Sequence, residues 1–178
     1  ALAIALNHPN LEVRLITTVA GNVDVEKTTN NALKLVDFFG KNVPVAKGCN
    51  CPLLIQLEDS AEIHGETGMD GFEFPQPIST CLDIHAVEAM RKEILSSDVP
   101  LTIVPIAALT NIALLLTLYP EVKENIAEIV MMGGSLARGN TNTSAEFNTY
   151  VDPHAAQIVF QSGVPLTMVG LDVTSQAV

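Results

Sequence analysis

The clearest chemical signal in the sequence is a set of three polar side chains in one short stretch. Asn140, Glu146 and Asn148 stand in Gly139-Asn140-Thr141-Asn142-Thr143-Ser144-Ala145-Glu146-Phe147-Asn148. Two amides and a carboxylate together supply donors and acceptors, which is what the hydroxyls of a polyol require. If Glu146-Phe147-Asn148 is extended, Glu146 and Asn148 share one face, and Phe147 points away or flanks the ligand. The small polar run 141–145 reads as a loop, so the same residues also fit a solvated loop that ends in a helix cap. Composition leaves both readings open.

Two other stretches could do chemistry. His64, beside Gly65 in Ile63-His64-Gly65-Glu66-Thr67-Gly68, could close over a ligand or donate a proton, or could be a plain surface histidine. Gly133-Gly134-Ser135-Leu136-Ala137 follows an apolar run and resembles the nucleophile elbow of a serine hydrolase, with Ala137 where glycine is usual. Arg138-Gly139-Asn140 does not look like the helix start that an elbow needs. The other reading is a glycine-rich loop that lets the backbone approach a ligand. Neither a phosphate-binding loop nor a dinucleotide fingerprint is present. Cys49, Cys51 and Cys81 lack zinc spacing and read as reduced thiols of a cytoplasmic protein.

The elements that must position these groups follow from periodicity. Apolar runs over 11–19, 43–46, 101–107, 129–132 and 166–170 read as buried strands. Amphipathic stretches over 24–39, 81–95, 110–118 and 152–161 read as helices, with Thr110 as a cap and Pro153 in a first turn. Residues 48–80, rich in Gly and Pro, form a long loop of the kind that is usually functional. This alternation predicts an α/β fold: an open, mostly parallel, Rossmann-like sheet with helices on both faces. Residues 1–178 form a single domain on this reading. Ligands of such sheets sit beyond the C-terminal strand ends, here 20–22, 106–110, 132–135 and 171–174. Residues 1–8 read as an apolar helix without a cap, so the domain is expected to begin within an element.

Bulk properties narrow the function. The chain has 178 residues, 48% of them hydrophobic, and a mean hydropathy of +0.33, which excludes disorder and is enough for one real core. The net charge is −11, and the nine basic residues form no stripe, so neither nucleic acid nor an anionic membrane surface is an expected partner. No apolar run reaches the length of a membrane span.

Taken in order, several segments resemble the inosine–uridine preferring nucleoside hydrolases, and most of all the non-specific ribonucleoside hydrolases. They are Thr17-Thr18-Val19-Ala20-Gly21-Asn22-Val23, His64-Gly65-Glu66-Thr67-Gly68, Leu109-Thr110-Asn111-Ile112-Ala113, Met132-Gly133-Gly134 through Gly139-Asn140 to Ala145-Glu146-Phe147-Asn148, Asp152-Pro153, and Val169-Gly170-Leu171-Asp172-Val173-Thr174. The resemblance covers essentially the whole chain. It implies a nucleoside hydrolase-like fold and hydrolysis of the N-glycosidic bond of ribonucleosides to free base and ribose. It also implies a Ca²⁺ that holds the ribose diol and the attacking water, and a homo-oligomer, dimer or tetramer.

By motif position, the resemblance gives Asn140 and Glu146 to the ribose 5′-hydroxyl and Asn148 to the ribose near the reacting centre. Phe147 and Met132 line the sugar pocket. Asn22 and His64 are the catalytic candidates, Asn22 near metal and water and His64 reaching the base. Ile106 would offer its main-chain carbonyl to the metal. The family's aspartate cluster would precede Ala1 and its later His-Asp pair would follow Val178. The domain is therefore expected to be incomplete at both ends, and the 178-residue chain alone weak or inactive. Two alternatives stand beside the enzyme: a non-catalytic ribose- or nucleoside-binding module, and a serine hydrolase using Ser135.

Overall fold

The apolar runs do pair as parallel strands, most of them over fewer residues than their length suggests, while the run 129–132 extends back to Ile126. The computed structural model describes residues 1–57, 65, 67–69 and 71–177. In chain order the elements are α1 (Leu2–Asn7), β1 (Ile16–Thr18), α2 (Val25–Phe38), β2 (Val45–Lys47), α3 (Ala86–Ser96), β3 (Leu101–Ile103) and α4 (Thr110–Leu118). A 3₁₀ turn (Pro120–Asn125) leads to β4 (Ile126–Met132), α5 (Phe147–Val151), α6 (Pro153–Phe160), β5 (Leu166–Val169) and α7 (Leu171–Thr174). Among the described residues the strands form two parallel ladders. One pairs β1 with β2 (Thr17 beside Ala46), and the other has the order β3-β4-β5 (Val130 beside Thr167). The expected α/β class with parallel strands and an open sheet holds.

The expected strands 11–19 and 101–107 shrink to three residues each. Apolarity marks a segment for burial and does not by itself provide a pairing partner. Beyond Ile103 the chain leaves the ladder with Val104 62% and Ile106 44% exposed.

Helix starts show the same mixture. Asp24 caps α2 by accepting from the Lys27 backbone N–H at 2.8 Å, and that bond holds its carboxyl below the usual range. Gly40, at φ +60°, ends the helix region as expected. The expected helix 81–95 begins later, because Leu82 bridges to Ala46 and His85 serves as the cap. Thr110 does not cap α4. Leu109 holds the cap position, and the Thr110 hydroxyl instead donates to Asp152 at 2.8 Å. Asp152 in turn caps α6 through the Ala155 N–H, ahead of Pro153. The first helix has no side-chain cap, as its sequence implied.

Two main cores hold these elements. The larger lies under β3-β4-β5 and is built from Ile129, Met131, Leu109, Leu115, Ile94, Val159 and their neighbours. The smaller joins α1, α2, β1 and β2 through Leu6, Ile16, Leu33, Val36 and Val45. Among the described residues no helix is long and apolar enough to cross a membrane.

Candidate active site

The C-terminal ends of both ladders face the same edge. A single side chain demonstrates this: Asn111, in the first turn of α4, donates through Nδ2 to the Thr18 carbonyl at the end of β1. Its Oδ1 accepts from the Cys49 N–H just after β2. Asp152 adds a second tie, accepting from the Leu53 N–H at 2.9 Å as well as from Thr110 and Ala155.

On this edge β4 ends at Met132 and passes into Gly133-Gly134. Gly134 has φ +73°, a conformation only glycine adopts readily, and a Cβ there would come within 2.7 Å of the Met168 sulfur. Its N–H donates to Glu146 at 2.9 Å, and its carbonyl accepts from the Leu171 N–H. The chain then makes a loop whose tip returns at Ala145.

Glu146 is only 3% exposed. It is the cap of α5, not a residue of an extended segment. Oε1 accepts from the Asn148 N–H (3.0 Å), and Oε2 accepts from Gly134 and from the Thr149 N–H (3.2 Å). The expectation that Glu146-Phe147-Asn148 is extended is thus corrected. Three orphan N–H groups, two of them in the first turn of α5, attract the carboxylate, and the chain turns into a helix to meet it. The helix-cap reading is the one the structure shows, and it does not use up the carboxylate. Of its roughly four lone-pair positions, three are used, which leaves Oε1 able to accept one more hydrogen bond.

Asn148 draws three distant stretches together. Its Nδ2 lies 3.2 Å from the Met132 carbonyl, 3.3 Å from the Met132 sulfur and 3.5 Å from the Ile106 carbonyl. Its Oδ1 has no partner among the described residues. Asn140 spends Oδ1 on the Phe147 N–H at 2.9 Å, so its exposed amide nitrogen can still donate. Ile106, Met132, Asn140, Glu146, Phe147 and Asn148 therefore form one connected cluster. Its open valences are a donor on Asn140 and acceptors on Asn148 and Glu146, arranged beside the Met132 thioether. That combination suits hydroxyls on a carbon ring.

Asn22 is half-buried in the turn after β1, on the same edge. His64 lies outside the described residues. Three residues further on, the Thr67 carbonyl is held by the Asn31 amide at 2.8 Å, so that part of the long loop rests on α2.

Ser135 is not an activated nucleophile. Its hydroxyl donates to the Arg138 carbonyl at 2.8 Å and lies 3.3 Å from Asp172, with no histidine bonded to it among the described residues. No helix follows it either. Asp172 also accepts from the Leu136 and Ala137 N–H groups, and the Leu136 bond is the main reason its carboxyl is held below the usual range. The Gly133–Ala137 stretch is a backbone-rich loop clamped at its far side. The serine hydrolase reading is abandoned.

Among the described residues the donors do not make a calcium site. Calcium takes six to eight oxygen ligands. Here the Ile106 carbonyl is faced by the N–H side of the Asn148 amide, and no group of three or more His, Cys, Asp or Glu side chains converges among the described residues.

Sequence reasoning missed the supporting polar residues: Asn111 and Asp152 below the site and Asp172 beside it. All three lie within stretches that carried the family resemblance, but nothing in their type or spacing says which backbone groups they reach.

Comparison with known proteins converges on one family. A family model described as inosine-uridine preferring nucleoside hydrolase matches residues 1–178. The non-specific ribonucleoside hydrolases RihC of Klebsiella pneumoniae (strain 342) and Salmonella typhi are each 51% identical over 177 residues, 99% of this chain and 58% of theirs. A purine-preferring ribonucleoside hydrolase from Gardnerella vaginalis superposes with TM-score 0.94 at 39% identity, covering 99% of this chain and 58% of that one. An inosine-guanosine nucleoside hydrolase gives TM-score 0.92 at 30% identity, covering 99% and 57%. The chain thus spans 58% of the length of the curated relatives it matches.

Proposed function

The chain belongs to the inosine–uridine preferring nucleoside hydrolase family, and from that membership we propose that the protein in which it occurs hydrolyses ribonucleosides to free base and ribose. The observation that carries the reading is Asn148, whose side-chain amide meets the Met132 and Ile106 carbonyls while its backbone N–H meets the Glu146 carboxylate at the strand ends.

The residues of this chain hold the sugar. Asn140 Nδ2 donates to the 5′-oxygen, and Glu146 Oε1 accepts from the 5′-hydroxyl. Asn148 Oδ1 accepts from a ring hydroxyl, and the Met132 thioether and Phe147 cover the carbon face of the ribose. Breaking the C–N bond leaves the electron pair on the base and positive charge on the sugar. A buried carboxylate and an amide oxygen aimed at that sugar stabilise the charge more in the transition state than in the ground state. Asn22 completes the pocket from the β1 side, and His64 reaches the departing base. The calcium ion that the resemblance implies would need ligands beyond the donors described, and the 178-residue chain alone is expected to turn over little substrate. Three free cysteines fit a cytoplasmic location, and a homo-oligomer is the assembly the resemblance implies.

The test is release of reducing sugar from inosine and uridine by the protein that contains this chain. Asn148→Ala should lower kcat/KM by about 100-fold while leaving the melting temperature nearly unchanged. Wild-type rates in that variant would remove Asn148 from the site.

A further inference from the structure

Among the described residues, no backbone hydrogen bond joins the β1-β2 ladder to the β3-β4-β5 ladder. The two halves touch through apolar side chains, with Leu15 and Leu53 packed against the larger core. Apolar contact is strong but non-directional, so it does not fix position along the interface. Hydrogen bonds do. At the ligand edge, Asn111 supplies two of them at once, to the Thr18 carbonyl at 2.8 Å and from the Cys49 N–H at 3.0 Å.

The chemistry of Asn111 is specific. One partner is a carbonyl and the other an N–H, so the side chain must donate and accept on its two branches. An amide does this and a carboxylate does not. The group is 4% exposed, so a lost partner is not replaced by bulk water. Space is reserved for it: a Cβ on Gly48 would collide with both branches of the Asn111 amide and with the Thr18 carbonyl. Asn111 is also anchored from behind, because its neighbour Thr110 is bonded to Asp152, the cap of α6.

We propose that Asn111 is a positioning residue for nucleoside binding: its amide sets the β1 turn that carries Asn22 at a fixed distance from the Asn140–Glu146–Asn148 grip. The inference rests on the reading that this edge binds a ribonucleoside. Asn111 itself touches no substrate.

Asn111→Asp tests it by pH. The ionised carboxylate keeps the Cys49 bond and turns a second acceptor on the Thr18 carbonyl. The protonated acid regains a donor and restores both bonds, and burial against the Thr18 carbonyl raises the carboxyl above the ordinary aspartate value of about 3.9, so the proton returns on mild acidification. The charged or titratable groups facing this place are Cys49, Cys51 and Asp152. Burial pushes the Cys49 thiol up to about 11, so it stays neutral in the range used. Taking the variant against wild type at each pH removes the contribution of the others.

In the protein that contains this chain, Asn111→Asp should raise KM for inosine by about tenfold near pH 8, with the ratio to wild type falling below about twofold near pH 5. Asn111→Ala and Gly48→Ala should raise KM at both pH values. A role in folding alone would lower apparent kcat with the active fraction and leave KM unmoved. An unchanged KM, or a KM ratio that is the same at both pH values, overturns the proposal. If the wild-type protein turns over no nucleoside, the functional reading fails instead, and the strut is judged by melting temperature. It stands if the Asn111→Asp deficit near pH 8 closes near pH 5, and falls if the deficit is independent of pH.

Discussion

The two ladders share a backbone pattern and differ in what lies beneath it. Among the described residues, the β3-β4-β5 ladder sits on a cluster of sixteen buried apolar residues drawn from α3, α4, α6, β4 and the turns between them. The β1-β2 ladder has six such residues, with three more where α3 meets β2. The proposed sugar grip grows from the first ladder: Met132 ends β4, and Glu146 reaches back to Gly134. Asn22 grows from the second. One side of the site is therefore built on a deep core and a capped turn, and the other is held to it by side-chain amide and carboxylate bonds. Position on the first side comes from packing, and position on the second comes from directional polar contacts.

That contrast can be broken by mutation. Ile129→Ala removes a fully buried side chain from the centre of the larger core and should cost about 4 kcal/mol in denaturant unfolding. Val45→Ala on the smaller side should cost about 2 kcal/mol, because fewer methylenes are lost from a thinner cluster. Equal costs, from two carbons removed at Val45 and three at Ile129, would mean that the smaller half is the more tightly packed.

Glu146→Ala comes next. It leaves the N–H groups of Gly134, Asn148 and Thr149 without their acceptor, at a cost of about 2 kcal/mol. Stability and nucleoside turnover should fall together, whereas Asn148→Ala separates them. A Glu146 variant that loses activity at full stability would show that the carboxylate serves the ligand and not the turn.

The smallest effect is expected at Asp172, which clamps the loop after Gly134 from the end of β5. Its carboxyl is held below the usual range, so its clamping is present above the ordinary aspartate value and is lost as pH falls through the lower, folded value. Near neutral pH, Asp172→Asn replaces one of the two acceptor oxygens by a donor, so either the Leu136 or the Ala137 N–H loses its acceptor. It should speed tryptic cleavage after the exposed Arg138 by about fivefold. Unchanged cleavage would show that the loop holds its shape without the clamp.

Much of this was legible from the residues. The Asp24 cap, the Gly40 stop and the Asp152-Pro153 helix start follow from local chemistry that acts within four residues. The alternation of apolar runs and amphipathic helices announced parallel strands, and their C-terminal ends are where the proposed site lies. The grip residues were legible by type, and the ordered motifs attached them to a family.

Other features depended on the assembled chain. Glu146 could be read as a polyol ligand or as a cap; the folded chain shows the cap, and only its return to Gly134 gave the carboxylate a third donor. Thr110 has the type and place of a helix cap, yet its hydroxyl found Asp152, forty-two positions away. Asn111 looked like any polar residue at a helix start until Thr18 and Cys49 were brought to its two branches. The physical reason is the range of the interactions. Caps, turns and amphipathic faces are settled by neighbours in sequence wherever no distant partner competes, and there the sequence alone determines them. A hydrogen bond between distant segments depends on where packing delivers its partner, and that is decided only by the tertiary structure.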